Sequence, residues 1–118
     1  ALNHEKTEFH ALEALRDNTS PRWFLGNGWD YPYIAAQTLN RIGKTDAAYA
    51  IVNNRLQQAL IENNIDDIFH QVLLIAVLGN PKGQEVFTML KSKYSSESNV
   101  INAILLYEEQ FNSALPKK

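Results

Sequence analysis

Two short, similar sequence segments, each ending in glycine, constrain the fold of this chain more than any other feature. Residues 39–43 (LNRIG) and 75–79 (IAVLG) each close an apolar stretch with helical spacing, and another helical pattern follows each at once. The two glycines lie 36 positions apart, a period typical of stacked helix pairs. The spacing therefore predicts paired helices, an architecture that serves binding more often than catalysis.

Apolar residues recur every three or four positions in six segments, and no segment alternates with the period of a strand. The predicted helices cover roughly residues 3–17, 31–42, 45–62, 66–78, 80–94 and 97–114. Phe9, Leu12 and Leu15 form the apolar stripe of the first helix. The fourth is apolar on all sides, so we expect it to be the most buried. We predict one all-α domain over residues 1–118, packed as antiparallel pairs in a short α-solenoid or a compact bundle.

Cap residues support these helix ends. Gly43 and Gly79 suit the left-handed position just after a helix, and Asn80 suits a cap followed by proline at the first helical position. Ser96 is the predicted cap of the last helix. Arg55 interrupts the stripe of the third helix, and we expect its stem to pack while its head reaches water.

The joints IGKTDA (residues 42–47) and LGNPKG (residues 78–83) resemble those of HEAT-like helical repeats. In such repeats a helix ends on an apolar residue and glycine, and a short polar turn leads into the antiparallel partner helix. The resemblance spans roughly residues 33–111. It implies a right-handed stack of helix pairs that presents a binding surface and has no inherent enzymatic activity.

Composition argues against several partners and chemistries. With 11 basic and 13 acidic residues the net charge is −2, which argues against nucleic acid as a partner. There is no cysteine, so disulfides and thiolate metal sites are excluded. The longest apolar run, residues 72–78, is far shorter than the ~20 residues that cross a bilayer, so no membrane span is predicted. The compartment stays open: the cytoplasm, or the periplasm or exterior if Ala1 is a mature N-terminus.

Histidine and carboxylate pairs occur at helical spacing, but they do not make a site. His4 with Glu8, and Asp66 with His70, are four positions apart, and we interpret both as surface pairs because no third metal ligand lies nearby. No serine stands in a Gly-x-Ser-x-Gly elbow. We therefore predict no catalytic residue, no metal and no cofactor.

The link over residues 18–30 is long for a helical domain and carries most of the functional signal. Aromatic residues crowd into and just beyond it beside an arginine, and such residues dominate interface hot spots. The predicted partner-binding residues are Arg22, Trp23, Phe24, Trp29, Tyr31 and Tyr33. In the alternative interpretation, Trp23, Phe24 and Leu25 fold back as a lid over the open end of the stack.

These features favour a protein–protein interaction module that binds its partner through the link and an adjacent helix face. By analogy of size and class, a small inhibitor or immunity-type protein fits this description. Self-association through an exposed apolar face, giving a homodimer, is a second form of interaction. The rival hypothesis is a small-ligand or enzymatic domain with a pocket under the link. Its walls would be Trp23, Trp29, Tyr31 and Tyr33, with Arg22, Asp30 and His70 as polar groups.

Overall fold

The computed structural model describes residues 4–16 and 30–116, with side chains described from residues 5 and 32 onward in these two ranges. Within them the chain forms six α-helices and no strand, as the apolar spacing predicts. The helices are α1 (His4–Arg16), α2 (Asp30–Ile42), α3 (Asp46–Glu62), α4 (Ile65–Leu78), α5 (Gln84–Lys93) and α6 (Ser98–Ala114), with a 3-10 turn over Pro81–Gly83 before α5. The all-α prediction is confirmed; the HEAT-like character stays a prediction.

Helix α4 lies at the centre of the packing. It contacts α2, α3 and α6, while consecutive helices pair as α1 with α2, α3 with α4 and α5 with α6. Most of its side chains are buried, including Val72, Leu74, Ile75 and Leu78. Burying an aliphatic side chain of this size contributes about 1.5–3 kcal/mol, so α4 supplies a large part of the hydrophobic stabilisation of the core. The expectation that this segment is the most buried is confirmed.

The glycine joints adopt the predicted backbone. Gly43 and Gly79 have φ of 75° and 64°, the left-handed conformation that ends a helix. A Cβ on Gly79 would collide with the backbone of Ala114 at the end of α6, whereas a Cβ on Gly43 would meet nothing within 4 Å. Gly79 is therefore needed for close approach as well as for the turn, and Gly43 for the turn alone.

Two predicted helix starts need correction. The segment after Asn80 begins as a 3-10 turn, and α5 proper starts only at Gln84, because Asn80 closes a tight turn by accepting from Lys82 N at 3.0 Å. The last helix is capped by Glu97 rather than Ser96, without a side-chain cap hydrogen bond.

The apolar stripe of α1 is also narrower than predicted. Leu12 and Leu15 are buried, but Phe9 is 55% exposed and lies edge-on to His10, with ring centroids 5.6 Å apart. Around the helix axis, Phe9 lies roughly opposite Leu15 and Ala11, on the outer side of α1. In the described part of the chain no helix is long and apolar enough to cross a membrane.

Candidate functional site

The carboxyl ends of α2, α4 and α6 meet at one side chain, that of Asn40. Its amide Nδ2 donates to the carbonyl of Leu78 at the end of α4 and to the carbonyl of Ala114 at the end of α6, both at 2.9 Å. The last carbonyls of a helix have no partner within the helix, and a side-chain amide satisfies two of them here. Asn40 therefore holds α2, α4 and α6 with their carboxyl ends together.

A groove runs between α2 and α6 above this meeting point, and we call it the α2–α6 groove. Its two adjoining parts have volumes of about 380 and 360 Å³ and share Asn40, Ser113 and Ala114. One part lies over Val77 of α4, between α2 and α6, and the other extends to the joint glycines. The lining residues are Gln37, Asn40, Arg41, Gly43, Thr45, Val77, Leu78, Gly79, Gln110, Ser113, Ala114, Leu115 and Pro116.

The side chains that line the groove include hydrogen-bond donors, hydrogen-bond acceptors and one positive charge. Gln37 and Gln110 each carry an amide that donates and accepts, and Ser113 adds a hydroxyl. Arg41 is the charged residue among the lining side chains. Val77 supplies a small apolar floor. Such a lining can form hydrogen bonds with both donors and acceptors of a bound group.

The exposed face of α2 is continuous with this groove. Ile34, Gln37 and Arg41 recur at helical spacing and are all exposed, with Ile34 54% exposed. One turn before Gln37 and Val77 lie Tyr33 and Leu73, which are half-buried against the core. The surface next to the groove is therefore more apolar toward the start of α2, the helix that follows the link in the chain.

A polar cluster lies between α3 and α4. Arg55 Nη2 is 3.9 Å from Asp67 Oδ2, and Gln71 Nε2 donates to Asp67 Oδ1 at 3.0 Å. His70, the next residue to Gln71, is 3% exposed. Burial lowers the pKa of His70 to about 4; the Asp67 carboxylate opposes this shift and the Arg55 guanidinium adds to it. The imidazole is therefore neutral at neutral pH.

This cluster corrects two expectations. Arg55 does not hold its head in water, because the guanidinium faces Asp67 across the helix pair and the side chain is only 23% exposed. His70 is not in a surface pair with Asp66, because α4 is enclosed by its neighbours and only the first turn of that helix is exposed. Among the described residues, no group of three or more histidines and carboxylates could hold a metal ion.

The predicted binding residues divide between the described and undescribed parts. Arg22, Trp23, Phe24 and Trp29 lie outside the described residues, as does Leu25 of the alternative lid. Asp30 and Tyr31 begin α2, but their side chains lie outside the description. Tyr33 is half-buried on α2, one turn from the groove. The binding surface, the lid and the ligand pocket therefore stay predictions for the link.

The groove residues were not foreseen from the sequence. The polar residues Gln37, Asn40 and Arg41 recur on one side of a helix with a good apolar stripe, which ordinarily indicates only a solvated face. Their partners Gln110 and Ser113 lie some seventy positions later in the chain. Comparisons with protein-family models, with curated proteins and with solved structures found no match for this chain.

Proposed function

We propose that this protein binds another protein, along the exposed face of α2, the α2–α6 groove and the link over residues 18–30. The observation that carries the proposal is the exposed isoleucine Ile34, in line with Gln37 and Arg41 on the helix that the link enters. An apolar side chain beside a polar, hydrogen-bonding rim is the usual composition of a recognition surface. The aromatic residues of the link would extend the apolar part.

The shape and chemistry of the groove support a macromolecular partner. Both parts of the groove open at the surface, and their volumes are at the lower limit of small-molecule pockets. The amides of Gln37 and Gln110 stand on different helices and can each pair with a peptide group. A segment laid between α2 and α6 would find such groups on both sides and Val77 beneath it.

The specific form of the proposal is an inhibitor or immunity-type role, in which the partner is a toxin or enzyme held inactive. It rests on the analogy of a small, weakly acidic, all-α chain with a net charge of −2. Binding by occlusion needs no catalytic group on this chain, only a surface that covers the partner's site. The partner's own activity is then the direct readout.

The first experiment compares two exposed isoleucines. A photo-crosslinking amino acid replaces Ile34 in one chain and Ile61 in another; Ile61 lies on α3 and is 78% exposed. In extract of the source cells we expect one protein to crosslink at position 34 and not at position 61. Equal crosslinking at both positions, or none at position 34, contradicts the proposed surface.

The second experiment measures affinity for the protein so identified. We expect Ile34→Ser and Arg41→Glu each to weaken binding at least tenfold, or by about 1.4 kcal/mol, while Ile61→Ser leaves it unchanged. All three positions are exposed, so circular dichroism should show the same helix content in each variant. Equal loss at positions 34 and 61 would place the contact elsewhere.

A further inference from the structure

Helix α6 presents an apolar pair on its outer side. Leu105 is 45% exposed and Leu106 is 67% exposed, although the opposite side of the same helix is well packed. There Ile104 and Phe111 are buried, Phe111 lies 5.1 Å from Phe87 of α5, and Tyr107 meets Phe69 of α4. The two leucines are therefore not the edge of the core but a separate surface.

The residues that share this surface have a symmetrical order of polarity. Exposed polar side chains precede and follow the leucine pair at matching distances: Asn102 and Glu109 on the inner positions, Ser98 and Ser113 on the outer ones. Each polar position before the pair has its counterpart the same number of residues after it. After a rotation of 180° about an axis perpendicular to the helix, the face presents the same order of polar and apolar groups.

We propose that this face binds a second copy of the chain, with the two α6 helices antiparallel about a two-fold axis between Leu105 and Leu106. A two-fold interface must be self-complementary, and this order of residues places apolar groups opposite apolar groups and polar groups opposite polar groups. Each Leu105 then packs on Leu106 of the other copy, and each Asn102 lies opposite Glu109. This face shares Ser113 with the α2–α6 groove, but the leucine pair at its centre lies outside the groove lining.

The charges on α6 favour the antiparallel arrangement. Glu109 is exposed, and in antiparallel helices it faces the amide of Asn102, which can donate to a carboxylate. The two Glu109 residues are then separated by about 10 Å along the axis, near the screening length of physiological salt. In parallel helices they would face each other. The neighbouring Glu108 is already paired within the chain, with Lys91 Nζ at 3.0 Å from both carboxylate oxygens.

The size of the contact sets its strength. A helix of 17 residues is about 25 Å long, and one helix–helix contact of that length falls below the roughly 1,200 Å² of a stable interface. We therefore expect a reversible dimer with a dissociation constant between about 10 µM and 1 mM.

Sedimentation equilibrium over that concentration range tests the dimer. We expect Leu106→Glu to abolish it, because the variant buries two carboxylates beside the axis, while Ile61→Glu on α3 leaves it unchanged. Ile34→Ser also leaves it unchanged, so loss of partner binding and loss of the dimer are separable. A chain that stays monomeric throughout, or a dimer that survives Leu106→Glu, overturns the proposal.

Orientation is tested with introduced thiols, which are unique because the chain has no cysteine. Asn102→Cys and Glu109→Cys chains are mixed and treated with a short thiol crosslinker. We expect the mixture to give more covalent dimer than either variant alone, with Thr88→Cys on α5 as a background control. Stronger self-crosslinking of either variant alone would indicate parallel helices and overturn the antiparallel arrangement.

Discussion

The two ends of the α3–α4 pair are held in different ways. One end, which we call the joint end, lies at the start of α3 and the end of α4, next to Gly43 and Gly79. There, hydrogen bonds from Asn40, Asn80 and Tyr49 reach partners 33 to 74 positions away in the chain. At the turn between α3 and α4, the bonds of Asn63 and Asn64 join residues only three to five positions apart. Two exposed isoleucines, Ile61 and Ile65, flank that turn. Asparagine thus serves tertiary structure at one end and local structure at the other.

The largest effect expected from this difference is at the glycines of the joint end. We expect Gly79→Ala to cost about 3–5 kcal/mol, because the new methyl group meets the Ala114 backbone and the residue keeps a left-handed φ. Gly43→Ala shares the left-handed φ but has open space around it, so it should cost about 1–2 kcal/mol. Urea unfolding followed by far-UV circular dichroism measures both. Equal costs would show that α6 does not pack closely on Gly79.

The polar cluster between the two ends makes stability depend on pH. The pKa of His70 falls from 6.5 in the unfolded chain to about 4 on folding, so the unfolded chain binds more protons between those values. The contribution of neutral His70 to the free energy of unfolding is therefore fully present above pH 6.5. It is lost as the pH drops toward 4, by up to about 3 kcal/mol. His70→Gln should remove this dependence, and His10→Gln, at an exposed position, should not.

Unfolding free energies measured between pH 4 and pH 6.5 test whether His70 causes this pH dependence. Burial raises the pKa of Glu108, but hydrogen bonds from Lys91 and Gln84 and the charge of Lys91 together hold that pKa below its usual value. This second source of acid sensitivity is common to all the chains, so it cancels in the difference between wild type and His70→Gln. If that difference is constant with pH, His70 does not carry the effect.

A smaller effect separates the two capping asparagines. Asn80 Nδ2 donates to Thr45 Oγ1 at 2.9 Å and to Asp46 Oδ1 at 2.7 Å, in addition to closing its own turn. We expect Asn80→Ala to cost about 2–3 kcal/mol, because a buried cap and two tertiary bonds are lost. Asn64→Ala, which removes only the exposed cap of α4, should cost about 1 kcal/mol. Chemical denaturation of both variants gives the comparison; similar losses would mean that the Asn80 contacts to α3 contribute little.

Much of the architecture follows from patterns that act over one or two helical turns. The spacing of Val72, Leu74, Ile75 and Leu78 indicates a central helix, and Gly43 and Gly79 indicate how helices end. These features depend on neighbours in sequence, so a single chain shows them. The predicted cap at Asn80 is also present, although its two bonds to α3 were not foreseen.

Features that depend on distant helices were not predictable in the same way. Arg55 turns inward because Asp67 stands on the facing helix, and His70 is buried because α2, α3 and α6 surround α4. Asn40 looks like any polar residue on an amphipathic helix until Ala114, 74 positions later, lies beside it. The groove is a product of that adjacency, so no local pattern marks it.

The bond from Asn40 to Ala114 has a consequence for how the chain is made. During synthesis α2 and α4 leave the ribosome well before α6, so one of the two acceptors of Asn40 is delivered only after 74 further residues have been added. Until then the side of α4 that packs against α6, where Phe69 meets Tyr107, is exposed. During synthesis the protein therefore passes through a stage at which part of the apolar surface of α4 is exposed. A chaperone can bind that surface at this stage.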